Sequence, residues 1–95
     1  MNVQCIWAIK ASPGNTVQLY FRELDLFESE DCNVDYLEIR ETSGSGKLIG
    51  DFCGKNLPGN LTSSNSFWIK LQTGNQGFAK GFLAEFSYGK RWMGI

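Results

Sequence analysis

The chain has no histidine. There is therefore no imidazole to act as general base for a serine or cysteine nucleophile, and the commonest nitrogen ligand of transition metals is missing. Cysteine stands at three, an odd number, with no Cys-x-x-Cys pair. Structural zinc takes about four nitrogen or sulfur ligands and is excluded on that ground. Two arrangements of the cysteines stay open: one disulfide with one orphan, as in a small secreted domain, or three reduced thiols, as in a cytosolic one. No run approaches the roughly 18 continuous apolar residues of a membrane-spanning helix. The N-terminus lacks the basic stretch and following apolar stretch of a secretory signal. Positive charge is not in excess either: nine Lys and Arg stand against ten Asp and Glu, for a net charge of -1. A nucleic-acid partner, which asks for a basic face, is not expected.

What the sequence does have is alternation. In Val17-Gln18-Leu19-Tyr20-Phe21-Arg22 the odd positions are apolar, and Phe67, Ile69 and Leu71 repeat the pattern through Ser66–Gln72. Leu37 and Ile39 alternate in 36–40, and Phe82, Ala84, Phe86 and Tyr88 share one face of 81–88. A period of two marks strands with one buried face. Residues 5–10, 48–53 and 61–63 are shorter strand candidates, and no segment has helical periodicity. Turn residues separate them in Ser12-Pro13-Gly14-Asn15, Ser43-Gly44-Ser45-Gly46, Leu57-Pro58-Gly59-Asn60 and Thr73-Gly74-Asn75-Gln76-Gly77. Short strands spaced this way predict a single all-β domain, an antiparallel sandwich or barrel. At 95 residues its core is small enough for a covalent staple to matter.

Few segments suggest chemistry. Glu28, Glu30 and Asp31 form a polar loop, which reads as a solvated acidic cluster rather than a carboxylate pair for glycoside hydrolysis. Ser45-Gly46-Lys47-Leu48 is no phosphate-binding loop, because Glu41 stands at the first glycine position and Leu48 at the Ser/Thr position. Asn60-Leu61-Thr62 is an acceptor for N-linked sugar, expected on an exposed turn after Pro58-Gly59. Lys90-Arg91 reads as part of an exposed tail over 90–95, with a processing site as the alternative.

The segments taken in order resemble the CUB domain family. Cys5-Ile6-Trp7-Ala8-Ile9 is similar to its Cys-x-Trp strand, and Pro13-Gly14 with Val17–Phe21 to its next turn and strand. Leu24-Asp25-Leu26 resembles its Phe-Asp-Leu step, and Cys32-Asn33-Val34-Asp35-Tyr36-Leu37-Glu38-Ile39-Arg40 its Cys-x-Tyr-Asp-Tyr-x-x-Ile run. Ile49-Gly50-Asp51-Phe52-Cys53-Gly54, Pro58 and Ser63-Ser64-Asn65 follow the family's middle, and Gly81-Phe82-Leu83-Ala84-Glu85-Phe86 its closing Gly-Phe-x-Ala strand. The resemblance covers Cys5 to about Tyr88 and places a CUB domain over 1–89. It implies a two-sheet, jelly-roll-like β-sandwich and a Cys32–Cys53 disulfide. Cys5 falls where the family pairs with a cysteine further upstream, so the domain is expected to lack its first strand or two and to leave Cys5 unpaired.

The resemblance also carries an expectation about calcium. Many members hold the ion with a Glu, two Asp and nearby oxygens, and then grip a lysine of the partner. Of these positions only Asp35 is acidic here. Phe27 stands in place of the Glu and Gly74 in place of the second Asp, although a one-residue shift would bring in Glu28. Calcium takes six to eight oxygen ligands; no cofactor is expected, and Asp35 is instead expected to brace its loop through backbone hydrogen bonds. The implied function is non-catalytic: an extracellular module that binds a protein or a glycan, with Tyr20 and Trp68 as outward aromatic candidates. The alternatives are an accessory module of a secreted protease and a free-standing glycan-binding domain.

Overall fold

The computed structural model describes residues 3–74, 81–88 and 92–95. Among them are eight strands: β1 (Val3–Lys10), β2 (Val17–Asp25), β3 (Tyr36–Glu41), β4 (Leu48–Phe52), β5 (Asn60–Ser63), β6 (Ser66–Thr73), β7 (Gly81–Ser87) and β8 (Trp92–Gly94). They form two four-stranded antiparallel sheets, in the order β1-β6-β3-β4 and β5-β2-β7-β8. Among the described residues the one other regular element is a 3-10 turn at Glu30–Cys32. Of the sandwich and the barrel that the alternation left open, the sandwich implied by the resemblance forms.

The two sheets face each other across the residues that the period-two pattern marked. Leu37 and Ile39 of β3 and Phe67 and Ile69 of β6 are buried from one side, Val17, Leu19 and Phe21 of β2 and Ala84 of β7 from the other. Trp7 of β1 meets Phe82 of β7 edge to face at 5.1 Å between ring centres, and Phe82 in turn lies 5.7 Å from Phe21. The first contact crosses the interior and ties the sheets together through aromatic surface, the largest apolar area a small core has to offer, and the second packs neighbouring strands of one sheet.

Two bulges keep the apolar residues inside where simple alternation would turn them out. In β2, Phe21 pairs with Ala84 but Glu23 with Leu83, so Arg22 is an extra residue in the ladder. The insertion reverses parity, and Leu24 and Leu26 are buried although they stand at even positions after three buried odd ones. In β4 the register slips between Gly50, opposite Ile39, and Leu48, opposite Arg40, which lets Ile49 pack on the core. The turn between β1 and β2 follows its residues: Asn15 donates to the Ser12 carbonyl at 2.9 Å, and Gly14, at φ 80, takes the left-handed third position after Pro13.

β8 was not legible beforehand. The segment 90–95, read as a tail, contains Trp92–Gly94 paired with β7, and the Ile95 amide donates to the Ala84 carbonyl at 2.9 Å. Residues 75–77 of the turn after β6 and the Lys90-Arg91 pair lie outside the described residues.

The long connection from β2 to β3, residues 26–35, is fastened at several points. Leu26 donates to the Gly54 carbonyl at 3.0 Å. Cys32 is bonded to Cys53, which is buried just past β4, with the two Cα atoms 5.4 Å apart. Asp31 and Cys32 sit at φ 60 and 49, a region unfavourable for side-chain-bearing residues, so the bridge holds backbone that would otherwise relax. The bridge closes a span of 21 residues. Replacing both cysteines by alanine is expected to cost about 3 kcal/mol, or roughly 15 °C in melting temperature. Thermal unfolding of the double variant beside the native chain checks this; a loss under a few degrees would contradict it.

Candidate functional site

At one end of the sandwich, β2 leaves its sheet, β6 leaves the other, and β3 begins. Asp35, one residue before β3, lies between them. Its side chain is 1% exposed. One carboxylate oxygen, Oδ1, accepts the Gly74 amide at 2.8 Å, and the other, Oδ2, accepts the Phe27 amide at 3.2 Å. The two donors are the backbone amides of the two positions at which the resemblance implies acidic side chains. At Gly74 a Cβ would stand 3.1 Å from Val34 Cγ1 and 3.8 Å from Asp35 Oδ1. The neighbouring Glu28 folds over Gly54: its Oε1 lies 2.5 Å from where a Cβ on that glycine would be. Among the described residues no three His, Cys, Asp or Glu side chains converge as a metal-binding group.

The same end carries apolar surface that the sequence reading did not single out. Phe27 is 38% exposed and Leu57 48%. Leu57 lines a cleft of about 400 Å³ together with Lys55, Arg22, Asp25 and Phe82. The available signal was a phenylalanine and a leucine set in otherwise polar connections, which alternation cannot classify because neither lies in a strand.

Tyr20 and Trp68, the two aromatics expected to face outward, do so on opposite sheets and form no common surface. Trp68 is half-buried, because the β3–β4 turn folds over it: a methyl group on Gly44 would come within 3.2 Å of the indole. Arg40, opposite Trp68 in the register, holds that turn by donating to the Gly46 carbonyl at 2.9 Å and pairs with Glu38. On this face Lys70 lies over the Tyr36 ring at 5.6 Å. Partial burial, and then the Glu38 carboxylate, raise the pKa of Asp51 above the ordinary value, while Arg40 and Lys70 act against them.

Tyr20 belongs to a groove of about 490 Å³ on the outer face of the β5-β2-β7-β8 sheet, shared with Gln18, Arg22, Asn60, Thr62, Glu85 and Trp92. Arg22 bonds to Glu85 through Nε and places its guanidinium 5.4 Å from the Tyr20 ring centre. The bonded Glu85 carboxylate raises the already high pKa of Arg22. Asn60 is not on a turn, as expected, but is the first residue of the edge strand β5, exposed and opposite Tyr20. Trp92, on the strand the sequence did not reveal, supplies the second aromatic wall. Cys5 is a free, half-buried thiol on β1.

The comparisons with known proteins agree with this architecture. The CUB domain family matches over residues 1–86. The chain is 44% identical to cubilin of Rattus norvegicus over 90% of its own length and 2% of that protein's. It is 42% identical to a cubilin homolog of Drosophila melanogaster over 92% of its length, again 2% of that protein's. It is 38% identical to tolloid-like protein 2 of Mus musculus over 86% of its length and 8% of that protein's. The chain therefore spans only a small part of the curated relatives it matches. Its fold is similar to that of the CUB1-EGF-CUB2 domain of human MASP-1/3, with a TM-score of 0.74 and 22% identity over 98% of this chain and 35% of that one. With the two sheets, the Cys32–Cys53 bridge and the family match over most of its length, the chain belongs to the CUB domain family.

Proposed function

We propose that this chain is an extracellular protein-binding module, without catalytic machinery of its own, that works without calcium. The observation that carries the reading is the state of Asp35. Both of its oxygens are taken by backbone amides, and the amides belong to Phe27 and Gly74, the positions from which the family's calcium ligands would come. A cation there would have to displace two hydrogen bonds and recruit its remaining oxygens from a site that offers an aromatic ring and a glycine. Calcium's demand for six to eight oxygens is not met by that set. The absence of histidine supports the non-catalytic reading, and a bridge of this kind supports an oxidising compartment.

The binding surface is the loop end around Phe27 and Leu57. Exposed apolar side chains beside a cleft with Lys55, Arg22 and Asp25 on its walls combine an apolar centre with a charged rim, the usual anatomy of a protein interface. Asp35 holds this end in shape without an ion. The grip on a partner then comes from apolar contact and the Lys55 charge rather than from a metal-held carboxylate cluster.

Three measurements test this. Asp35→Ala leaves two part-buried amides without their acceptor and is expected to cost about 2 kcal/mol, lowering the melting temperature by roughly 10 °C; a neutral substitution would contradict the bracing role. Titration of the native domain with calcium to millimolar levels should leave the melting temperature unchanged, and a rise of several degrees would overturn the calcium-free reading. Displayed against a panel of extracellular proteins, the domain should keep its binders in chelator. Phe27→Asp and Leu57→Asp should weaken binding at least tenfold while leaving thermal unfolding near native. Binders lost in chelator, or retained by both variants, would contradict the proposal.

A further inference from the structure

The sequon and the groove meet at one place. Asn60 and Thr62 are two apart on β5, so both side chains project from the same face, and that face is the outer one, over the groove. Among the described strands β5 is the edge of its sheet, paired with β2 alone. Asn60 is exposed, and no hydrogen bond within the described residues holds its amide. In the register it lies opposite Tyr20, about 5 Å away across the strand pair. Beyond Tyr20 the groove continues past Arg22 and Glu85 to Trp92, which is 45% exposed.

We propose that Asn60 is N-glycosylated and that the first sugars of its glycan lie in this groove against Tyr20 and Trp92. The inference rests on the extracellular reading, since the modification belongs to the secretory pathway. In the step itself the Asn60 amide nitrogen attacks the anomeric carbon of the first N-acetylglucosamine on a lipid-linked oligosaccharide diphosphate. The new N–C bond replaces the anomeric C–O bond, the lipid diphosphate leaves, and the amide gives up one proton. Thr62 completes the acceptor triplet that the transferring enzyme reads.

The groove suits this occupant in chemistry and size. The C–H face of a pyranose is apolar and packs on aromatic rings, while its hydroxyl and N-acetyl groups find Gln18, Arg22 and Glu85 between them. A volume of about 490 Å³ holds short saccharide units and is shallow for a helix or a strand. Covalent attachment at the rim also removes the need for affinity: a tethered group is present at millimolar effective concentration, so weak stacking is enough to seat it. The outer face of this sheet is thereby a sugar-covered face, and the loop end with Phe27 and Leu57 is left as the open one.

The test uses the chain secreted from a eukaryotic host behind a cleavable leader. Its mass is expected to fall on treatment with peptide-N-glycosidase, with Asn60 converted to Asp, and Asn60→Gln and Thr62→Ala should show no such fall. Proton NMR of the glycoprotein should show contacts between the N-acetyl methyl of the first sugar and the rings of Tyr20 and Trp92. Removing the glycan should lower the melting temperature by about 4 °C, and Trp92→Ala should erase that difference. A secreted chain with the Cys32–Cys53 bridge formed but no glycan overturns this inference and leaves the extracellular reading standing. Reduced cysteines in the secreted chain overturn both. A glycan that makes no ring contact and changes no melting temperature overturns the seating in the groove.

Discussion

A buried carboxylate holds one end of this sandwich together. Asp35 precedes β3, and its two oxygens reach backbone just beyond one strand of each sheet: Phe27, two residues after β2, and Gly74, the residue after β6. Face-to-face packing of two sheets fixes their separation but says little about how their loops close over the end. Here the closure is set by one charged group that needs donors and two backbone amides that need acceptors. Burying an unpaired carboxylate is costly, and charge-assisted hydrogen bonds to backbone offset that cost. The disulfide and the Leu26–Gly54 hydrogen bond fasten the same connection a few residues to either side. The result is a loop end with defined shape whose apolar side chains, Phe27 and Leu57, are free to face outward.

Much of the fold was legible because alternation is a strong signal when one face of a sheet is buried. Val17, Leu19, Phe21, Leu37, Ile39, Phe67, Ile69 and Ala84 all went where their spacing sent them. The change of phase from Phe21 to Leu24, with Arg22 as the inserted residue, emerges only from the ladder. What escaped was decided by long-range pairing. Trp92–Gly94 is a three-residue strand with a glycine in it, too short for a period to show, and it exists because β7 offers an open edge. The sequon looked like a turn because Pro58-Gly59 precede it, yet the strand begins at Asn60 itself.

The candidate site divides in the same way. Chemistry carried by residue type was readable: no histidine, one acidic residue at three expected positions, a sequon. Chemistry carried by position was not. Tyr20 and Trp68 look equivalent in sequence, as outward aromatics in strands, but the β3–β4 turn folds over Trp68 while Tyr20 opens on a groove. The molecule thus has three kinds of surface. One sheet carries its own turn over Trp68, the other borders a groove edged by Asn60, and the loop end exposes Phe27 and Leu57. That division follows from where Asp35, Gly44 and Asn60 sit rather than from any composition bias.

In the calcium-free reading we propose, Asp35 does through backbone hydrogen bonds what a metal ion is expected to do in calcium-binding members of the family. Amide hydrogen exchange at Phe27 and Gly74, followed residue by residue in metal-free buffer, tests it most directly. Both amides are expected to be protected to nearly the level of the core strands, although each lies outside a strand, and added calcium is expected to change neither. Fast, loop-like exchange in metal-free buffer, with protection appearing only when calcium is supplied, would contradict it.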